Sequence, residues 1–406
     1  MNDNTQDKSH KSAQQSANSK IHGVGRLTID AVLAVTDIVE SLHSRISPLS
    51  GLHKKSEEEQ LSGISGLVYR NIRNVTQWVG KNIDVPLGAI NKTLASEPDS
   101  ASAQTLLAAL NGVLGDYLFV RDNPLAIPMH FRRNGQILTD EQLIEIINQS
   151  NGTLLIMAHG LCMNDIQWCR EGHDHGAELA KESGMAAIYL HYNSGRHISD
   201  NGKQFAALLE SLVQVTDKKL DINILAHSMG GLVSRSAFHV AQSSGHKWPE
   251  RLNKLVFLGT PHHGAALEKA GNWIDLILGA HAYTVPFARL VKVRSAGITD
   301  LRYGNVQQSD WHTTERFEFS GDQRQPVPLP DSVCCFAVAT SAKESIHYPL
   351  GDGLVRIKSA LGEHRNSVFH LQFPETHKWV GTHINHMQLL NDPEIYQVLR
   401  TWFEIH

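Results

Sequence analysis

The chain has 406 residues, of which 41% are hydrophobic and 19% are charged, and its formal net charge is −4. This length accommodates one large domain with an additional region, or two ordinary domains, and the apolar fraction suffices for a sizeable core. The near-neutral charge and the lack of any run of five like charges argue against nucleic acid as a partner.

Residues 1–20 are polar and lack the apolar stretch of a Sec signal peptide, so we expect a disordered leader. No segment reaches the roughly 18 uninterrupted apolar residues of a membrane span, and no transmembrane helix is indicated. The four cysteines make no disulfide framework, which favours reduced thiols. These features predict a cytoplasmic protein, with association with a membrane left open.

Residues 21–120 form a region with a helical pattern. Apolar residues recur at helical spacing over 29–42, 64–79 and 103–118. The three predicted helices could pack on the rest of the chain as an accessory layer, or they could lie on a lipid surface. Helices that bind lipid surfaces usually carry many Lys and Arg residues on the polar face. Only the second helix has a basic character, so packing is favoured and a peripheral membrane contact stays open.

From about residue 121 onward, the pattern changes to strands that alternate with helices. A hairpin is predicted at the Asn134-Gly135 turn, and Thr139 with Gln142 forms a capping box for a helix. Six apolar runs predict strands, at 153–158, 186–192, 222–226, 254–258, 333–339 and 368–373. Further helices are predicted at 203–215, 230–242 and 386–403. This alternation, with strands that are mostly apolar throughout, favours a mostly parallel sheet flanked by helices.

Segment 265–332 interrupts this alternation, and its stretch 323–330 is rich in Pro and Gln. We interpret the segment as a cap or insertion near a functional site. It would belong to a single domain that covers residues 121–406, because no internal repeat divides that part of the chain.

The most informative motif is AHSMGG at 226–231, which lies between a predicted strand and a predicted helix. A serine at a sharp strand-to-helix turn projects its hydroxyl from the edge of the sheet, and small neighbours let the strand and the helix pass close together. Ser228 is therefore a predicted nucleophile. The motif departs from G-x-S-x-G at Ala226, where a methyl group replaces the expected glycine. The structural alternative is a buried serine that caps the helix.

A serine nucleophile also requires donors for the oxyanion that develops on the substrate. The strand at 153–158 runs into His159-Gly160-Leu161, where a turn could carry such donors. The backbone N–H groups of Leu161 and Met229 are the predicted oxyanion hole. Each donor of this kind contributes about 2.7–4 kcal/mol in known enzymes. An ordinary turn at the end of a strand is the alternative for this segment.

The base and the acid are expected downstream, because in such sites the chain order is Ser, then Asp or Glu, then His. Asp352 follows the strand at 333–339 after a loop, and His386 directly precedes the closing helix. We therefore predict Asp352 as the acid and His386 as the base. His383 competes with His386 from the same loop. Either histidine could instead be a solvated loop residue, and Asp352 could be a turn residue between two glycines.

Five segments together resemble the lipase/esterase branch of the α/β-hydrolases. They are AHG at 158–160, AHSMGG at 226–231, GTPHHG at 259–264, GDGLV at 351–355 and HMQLL at 386–390. The sequence is most similar to the bacterial lipase-like and GPI inositol-deacylase-like groups of that branch, over about residues 125–406. GTPHHG is the most specific of the segments, because general α/β-hydrolases lack it.

This resemblance implies the α/β-hydrolase fold and hydrolysis of carboxylic esters, often lipidic ones, through a covalent acyl-enzyme. Its substrate would be a small-molecule or lipid ester. It also implies that His159, Gly160, His262 and His263 contact the substrate as residues of the pocket wall. It says little about the region before residue 120.

The 24 histidines raise the possibility of a metal site. The only tight clusters lie at 173–175 and 262–263, and neither H-E-x-x-H nor a paired C-x-x-C is present. We therefore expect no metal and no cofactor. Two rival functions stay open: an acyltransferase that uses the same triad, and a non-catalytic lipid-surface or scaffold protein of the same fold.

Overall fold

In this computed structural model, residues 100–265, 295–312, 322 and 324–405 are described. The predicted leader and the first two predicted helices lie outside these residues, as does much of the predicted insertion. The division of the chain into a leader, a helical region and a hydrolase domain therefore stays a prediction. The prediction of a helix at 103–118 can be compared, and it is confirmed by a slightly longer helix.

The described helices are α1 (Ala101–Val120), α2 (Asp140–Gln149), α3 (His175–Ser183), α4 (Ile198–Gln214), α5 (Met229–Ser244), α6 (Ala296–Asp300), α7 (Ser309–His312), α8 (Ile357–Ala360) and α9 (Pro393–Trp402). The described strands are β1 (His130–Arg133), β2 (Gln136–Ile137), β3 (Thr153–Ala158), β4 (Ala186–His191), β5 (Asp221–His227), β6 (Leu252–Leu258), β7 (Cys334–Ser341) and β8 (Lys378–Thr382). Short 3₁₀ turns connect several of these elements.

The eight strands form one sheet in the order β2-β1-β4-β3-β5-β6-β7-β8. Strand β1 runs antiparallel to both β2 and β4, and the pairs from β4 through β8 are all parallel. The inner strands are apolar along their length because helices cover both faces of the sheet. This mostly parallel sheet, with its antiparallel hairpin at one edge and its flanking helices, is the predicted α/β-hydrolase fold.

Local sequence signals set the entry into the sheet. Asn134 and Gly135 both have positive φ, 51° and 75°, as a two-residue turn of type I′ requires. The capping box is also present: the N–H of Gln142 donates to Thr139 Oγ1 at 3.3 Å, and the N–H of Thr139 donates to Gln142 Oε1 at 3.0 Å. The predictions for the hairpin and for the start of α2 are confirmed.

Helix α1 packs against the loops that follow β3 and β4. A side chain in place of Gly112 would collide with Cys162, and one in place of Gly115 would collide with Asn193. From Gln104 onward, the helix belongs to the same compact unit as the sheet. By length and composition alone α1 could cross a membrane, but 67% of its most apolar window is buried inside the protein. Most of its apolar residues therefore face protein, while Phe119 and Val120 at its end are exposed.

The predicted strand at 368–373 is wrong, because this segment contains a 3₁₀ turn at Ser367–Phe369 and then irregular chain. Leu371 and Phe373 are buried there without pairing to a strand, while Val368 is 63% exposed. The last strand is β8 instead. Strand β8 contains no apolar run because it lies at the edge of the sheet. There, side chains on one face and the unpaired backbone groups can contact water.

The closing helix begins later than predicted, at Pro393 rather than at His386. The Asp392 side chain accepts hydrogen bonds from the N–H groups of Glu394 and Ile395, and proline occupies the first helical turn. Both features favour a helix start at this point. The helix α3 was missed from the sequence, although Asp174 caps it in the same way.

A buried ion pair fixes the loop that follows β3. Arg132 Nη1 lies 2.8 Å from Asp165 Oδ1, and His191 Nδ1 lies 3.3 Å from the same oxygen. The side chains of Arg132 and Asp165 are 8% and 2% exposed. Removing one member of a buried pair leaves an uncompensated charge, which usually destabilises a protein by about 3–5 kcal/mol.

We therefore expect Asp165→Asn to lower the free energy of unfolding by about 3–5 kcal/mol. Urea unfolding followed by circular dichroism measures this change. Glu375→Gln, which breaks the exposed pair with Lys378, is the matched control and should leave the urea midpoint unchanged. Equal midpoints for Asp165→Asn and the control would show that the buried pair does not stabilise the fold.

Candidate active site

Four predicted site residues follow four strands of the sheet. His159 comes after β3, Ser228 after β5, Asp352 after β7 and His386 after β8. The carboxyl ends of parallel strands lie at the same edge of a sheet, and ligands bind at that edge in open α/β sheets. The topology therefore brings these loops to one place.

Ser228 occupies a strained turn between β5 and α5. Its φ is 54° and its ψ is −121°, and its N–H donates to the carbonyl oxygen of Leu258 at 2.9 Å. A non-glycine residue with this backbone conformation is uncommon and is typical of a nucleophile elbow. The Ser228 side chain makes no capping hydrogen bond to α5, which removes the structural alternative of a helix cap. Ser228 is 7% exposed, so the turn is buried.

Small residues allow this turn. A Cβ at Gly230 would collide with the carbonyl oxygen of Ala158, and a Cβ at Gly160 would lie 3.1 Å from the Cβ of Ser228. The departure at Ala226 is accommodated, since its methyl group is fully buried in the sheet opposite Ala158 and Phe257. The crowding thus falls on the helix side of the turn rather than on the strand side.

Asp352 and His386 form a buried pair. Nδ1 of His386 lies 2.7 Å from Oδ2 of Asp352, and both side chains are 1% exposed. The other carboxylate oxygen, Oδ1, accepts hydrogen bonds from the N–H groups of Leu354 and Val355 at 2.9 and 2.8 Å. The backbone N–H of His386 also donates to the Asp352 carbonyl oxygen at 2.9 Å. The carboxylate is fixed on both oxygens. Because a carboxylate accepts, it holds a ring proton of His386 on Nδ1, and in the neutral ring Nε2 is then the acceptor.

Nε2 of His386 is buried and has no hydrogen-bond partner among the described residues. Ser228 Oγ therefore makes no hydrogen bond to Nε2 in this structure; such contacts commonly tighten only when substrate binds. The competitor His383 is exposed, and its described contact is a backbone hydrogen bond to Lys343. The structure brings Asp352 together with His386 and not with His383. Their catalytic roles remain predictions.

The predicted oxyanion donors lie on two adjoining segments. Met229 is the first residue of α5, where a backbone N–H has no partner within the helix. The N–H of Leu161 likewise has no hydrogen-bond partner in the described part of the chain. Tyr192 holds the loop that follows β3: its hydroxyl donates to the carbonyl oxygen of His159 at 2.8 Å, and the rings of the two residues stack. The N-terminus of α5 adds a partial positive charge.

Sequence reasoning missed two residues that hold this site. Nε2 of His227 donates to the carbonyl oxygen of His386 at 3.1 Å, and the two rings lie 4.7 Å apart. Tyr192 supports His159 as described above. His227 could have been suspected from its place beside Ser228 in the motif. Tyr192 follows the end of β4, and its contact with the loop after β3 depends on strand pairing that no local signal encodes.

His262 and His263 occupy a different place from the Ser228 turn. They line a cavity of about 220 Å³ together with Arg235, and neither Ser228 nor His386 contributes to its described lining. The prediction that both histidines contact the substrate stays untested. Among the described residues, no group of three His, Cys, Asp or Glu side chains is placed to hold a metal ion.

Three comparisons relate the chain to known proteins. A family model described as a domain of unknown function (DUF7379) matches residues 119–300, which is less than half of the chain. None of the curated proteins matches the sequence. The comparison with solved structures finds several hydrolases, each at less than one-fifth sequence identity.

A lipase from Bacillus licheniformis, BlEst2 in its mature form, is 19% identical, and the match covers 61% of this chain and 90% of the lipase with a TM-score of 0.41. EstA from Clostridium botulinum is 11% identical over 66% of this chain and 98% of its own, with a TM-score of 0.38. The thioesterase RedJ of Streptomyces coelicolor is 13% identical over 63% and 90%, with a TM-score of 0.36. At these values the matches assign neither activity nor substrate, and the fold rests on the strand order.

Burial keeps His159, His227 and His262 neutral. It lowers the pKa of His159 to about 3, and it holds the pKa of His227 and of His262 well below the usual range. Such a group binds a proton more readily in the unfolded chain than in the folded one. The stability that it contributes is therefore complete above the unfolded pKa of about 6.5 and is lost as the pH falls toward the folded pKa.

We expect the free energy of unfolding to decrease between pH 7 and pH 5, and His159→Gln to reduce that dependence by about one proton per molecule. Urea unfolding at several pH values measures both slopes. His347→Gln, at an exposed histidine, is the matched control and should keep the wild-type slope. If His159→Gln had the wild-type slope as well, His159 would not be a buried neutral histidine.

Proposed function

We propose that this protein is a serine hydrolase that cleaves carboxylic esters through Ser228, His386 and Asp352. One observation carries the proposal: His386 is fixed at Nδ1 by a buried carboxylate, and its Nε2 is left without a partner at the sheet edge that carries the strained turn of Ser228. A general base needs one ring nitrogen held in place and the other able to take up a proton.

In the first half-reaction, Ser228 Oγ attacks the acyl carbonyl carbon and its proton moves to Nε2 of His386. The carbonyl oxygen becomes an oxyanion, which the N–H groups of Leu161 and Met229 stabilise. Asp352 keeps its negative charge and stabilises the imidazolium that forms. The tetrahedral intermediate then collapses: the ester C–O bond breaks, the alcohol takes the proton from Nε2, and an acyl-Ser228 ester remains.

In the second half-reaction, water attacks the acyl-enzyme and gives one proton to Nε2 of His386. A second oxyanion forms on the acyl carbonyl oxygen, and the same two N–H groups stabilise it. When it collapses, the bond between the acyl carbon and Ser228 Oγ breaks, Oγ recovers the proton from Nε2, and the carboxylic acid leaves. The cycle consumes one ester and one water and returns every residue to its starting state.

We propose acyl or lipidic esters as the substrate class. Support comes from the GTPHHG segment at 259–264, which resembles the lipase-like groups and begins directly after β6. Thr260 packs at the helix side of the nucleophile turn, because a Cβ at Gly231 would collide with its hydroxyl. This segment is therefore part of the support of the site as well as a mark of the resemblance.

We expect Ser228→Ala to abolish hydrolysis of p-nitrophenyl esters, since no nucleophile remains to form the acyl-enzyme. A series of graded acyl lengths, assayed with wild type and variant, measures this loss and ranks the substrates. A fluorophosphonate probe should label the wild type and not Ser228→Ala. Equal labelling of the two, or no labelling of the wild type, would support a non-catalytic protein instead.

The choice of base has its own test. We expect Asp352→Asn to lower kcat by roughly 10⁴-fold, because the imidazole loses its orientation and its counter-charge. His386→Asn should be at least as severe. His383→Asn is the matched control: asparagine tolerates its positive φ of 62°, and activity should stay at the wild-type level. Loss of activity in His383→Asn with retention in His386→Asn would assign the base to His383.

A further inference from the structure

A cavity apart from the catalytic residues has the character of a ligand site. Its volume is about 220 Å³, and it lies between helix α5, the segment that follows β6, and the loops at 324–328 and 368–371. Pro326, Val368 and His370 line it and are exposed, so it reaches the surface. Its inner wall carries Arg235 and two histidines.

Arg235 is a buried guanidinium without a carboxylate partner among the described residues. It is 6% exposed, and its described contacts are the carbonyl oxygen of Val327 and Nδ1 of His262, the latter at 3.4 Å. Its Nε is buried and has no hydrogen-bond partner. A buried charge is costly unless an opposite charge or hydrogen bonds compensate it. Arg235 thus has one N–H donor that no described residue satisfies.

The tautomer of His262 follows from the same contact. Arginine has donors only, so Nδ1 of His262 must be the acceptor and the ring proton must lie on Nε2. Burial keeps this histidine neutral by holding its pKa well below the usual range. His262 is fully buried, and its Nε2 has no hydrogen-bond partner. A second unsatisfied N–H donor therefore belongs to a residue that lines the same cavity.

His263 contributes the opposite kind of group. Its Nε2 lies 2.9 Å from the carbonyl oxygen of Gly362, which can only accept, so the ring proton lies on Nε2. Its Nδ1 is then an acceptor, and it is buried without a partner. The three residues Arg235, His262 and His263, which line the cavity, thus hold two unsatisfied donors and one unsatisfied acceptor.

The remaining charged side chains near the cavity are already satisfied. Arg324 forms two hydrogen bonds of 2.8 Å with Asp322 and a third, of 3.0 Å, with the His262 carbonyl oxygen. Asp310 acts on Arg235 through space, but its oxygens accept hydrogen bonds from three backbone N–H groups, at residues 306, 307 and 325. Of the two arginines in the wall, Arg235 is the one that has no carboxylate within ion-pair distance among the described residues.

We propose that this cavity is a binding site for a small oxyanion, and that its ligand is an organic carboxylate with a short apolar body. The carboxylate oxygens would accept hydrogen bonds from Nε of Arg235 and Nε2 of His262. A hydroxyl on the ligand, or a water molecule, would donate to Nδ1 of His263. Val327, Phe369 and Leu371 supply an apolar wall for the body of the ligand. A phosphate group shares the oxyanion chemistry but would leave this apolar wall uncovered.

Isothermal titration of the full chain with butyrate, benzoate and inorganic phosphate tests the proposal, with chloride at matched ionic strength as the reference. We expect one carboxylate per chain with a Kd on the order of 0.1–1 mM, as small ligands with few contacts bind. Ser228→Ala should bind equally well, because the site does not use the catalytic serine. The outcome is therefore independent of the proposed hydrolase activity.

Two substitutions of opposite charge at Gln325 should change the carboxylate affinity in opposite directions. Gln325 is exposed and lines the cavity, so Gln325→Glu should weaken carboxylate binding by roughly fivefold and Gln325→Lys should strengthen it by a similar factor. The matched control is Gln136→Glu, at an exposed glutamine on the edge strand β2, which does not line the cavity. It should leave the affinity unchanged.

A second pair of variants tests the opening of the cavity. Val368 lines the cavity and is 63% exposed, so Val368→Trp should obstruct entry and abolish measurable binding without changing the core. Val380→Trp, at a half-exposed valine on β8, is the matched control. Both variants should unfold at the wild-type urea concentration.

The outcomes separate clearly. Carboxylate binding that responds to both pairs of variants supports the proposal in full. Binding of phosphate alone, with the same response, keeps an oxyanion site but overturns the organic carboxylate. The proposal fails if no anion binds more tightly than chloride. It fails equally if Gln325→Glu, Gln325→Lys and Val368→Trp bind as the wild type does.

Discussion

The close passage of α5 over the end of β3 is the constraint on which the candidate site depends. Ser228 can adopt its positive φ only because the chain reverses there without a side chain at Gly230, next to the Ala158 carbonyl oxygen. The same reversal makes Met229 the first residue of the helix, with its N–H free. It also brings that N–H to the loop of Leu161. One steric requirement therefore accounts both for the strained turn of Ser228 and for the N–H of Met229 that has no partner within the helix, and the backbone strain of Ser228 is offset by the buried strands around it.

The proposed base, His386, depends on a second, electrostatic constraint. An unpaired carboxylate at the depth of Asp352 would be costly, but its two oxygens accept hydrogen bonds from two backbone N–H groups and from the His386 ring. These bonds arise within one tight turn and one loop, so the carboxylate cannot rotate without losing several of them. The ring is fixed at Nδ1 by Asp352 and at its backbone by His227. Rigidity here has a chemical meaning, because a base that is already oriented need not reorganise during the reaction.

Local signals were enough to predict the parts of the fold that local physics determines. The capping box at Thr139, the turn at Asn134 and the continuously apolar inner strands were all read correctly, since each is set by residues close in the sequence. The sequence does not predict strand β8, because an edge strand needs no apolar run. The segment at 368–373 resembles a strand in sequence, but several of its apolar side chains line a cavity instead of a sheet face. The pairing of Asp352 with His386 rather than His383 depends on where a long loop returns, which spacing alone does not determine.

The histidines show how burial assigns roles that composition cannot. A neutral imidazole has one donor and one acceptor, so the neighbour of one nitrogen decides what the other nitrogen offers. Asp352 takes the proton side of His386 and leaves an acceptor, as a general base requires. Arg235 takes the acceptor side of His262 and leaves a donor, as an anion site requires. The chemistry of the two places therefore differs because the partners differ in charge. Helix α5 links the places physically, since it begins at the Ser228 turn and carries Arg235 two turns later.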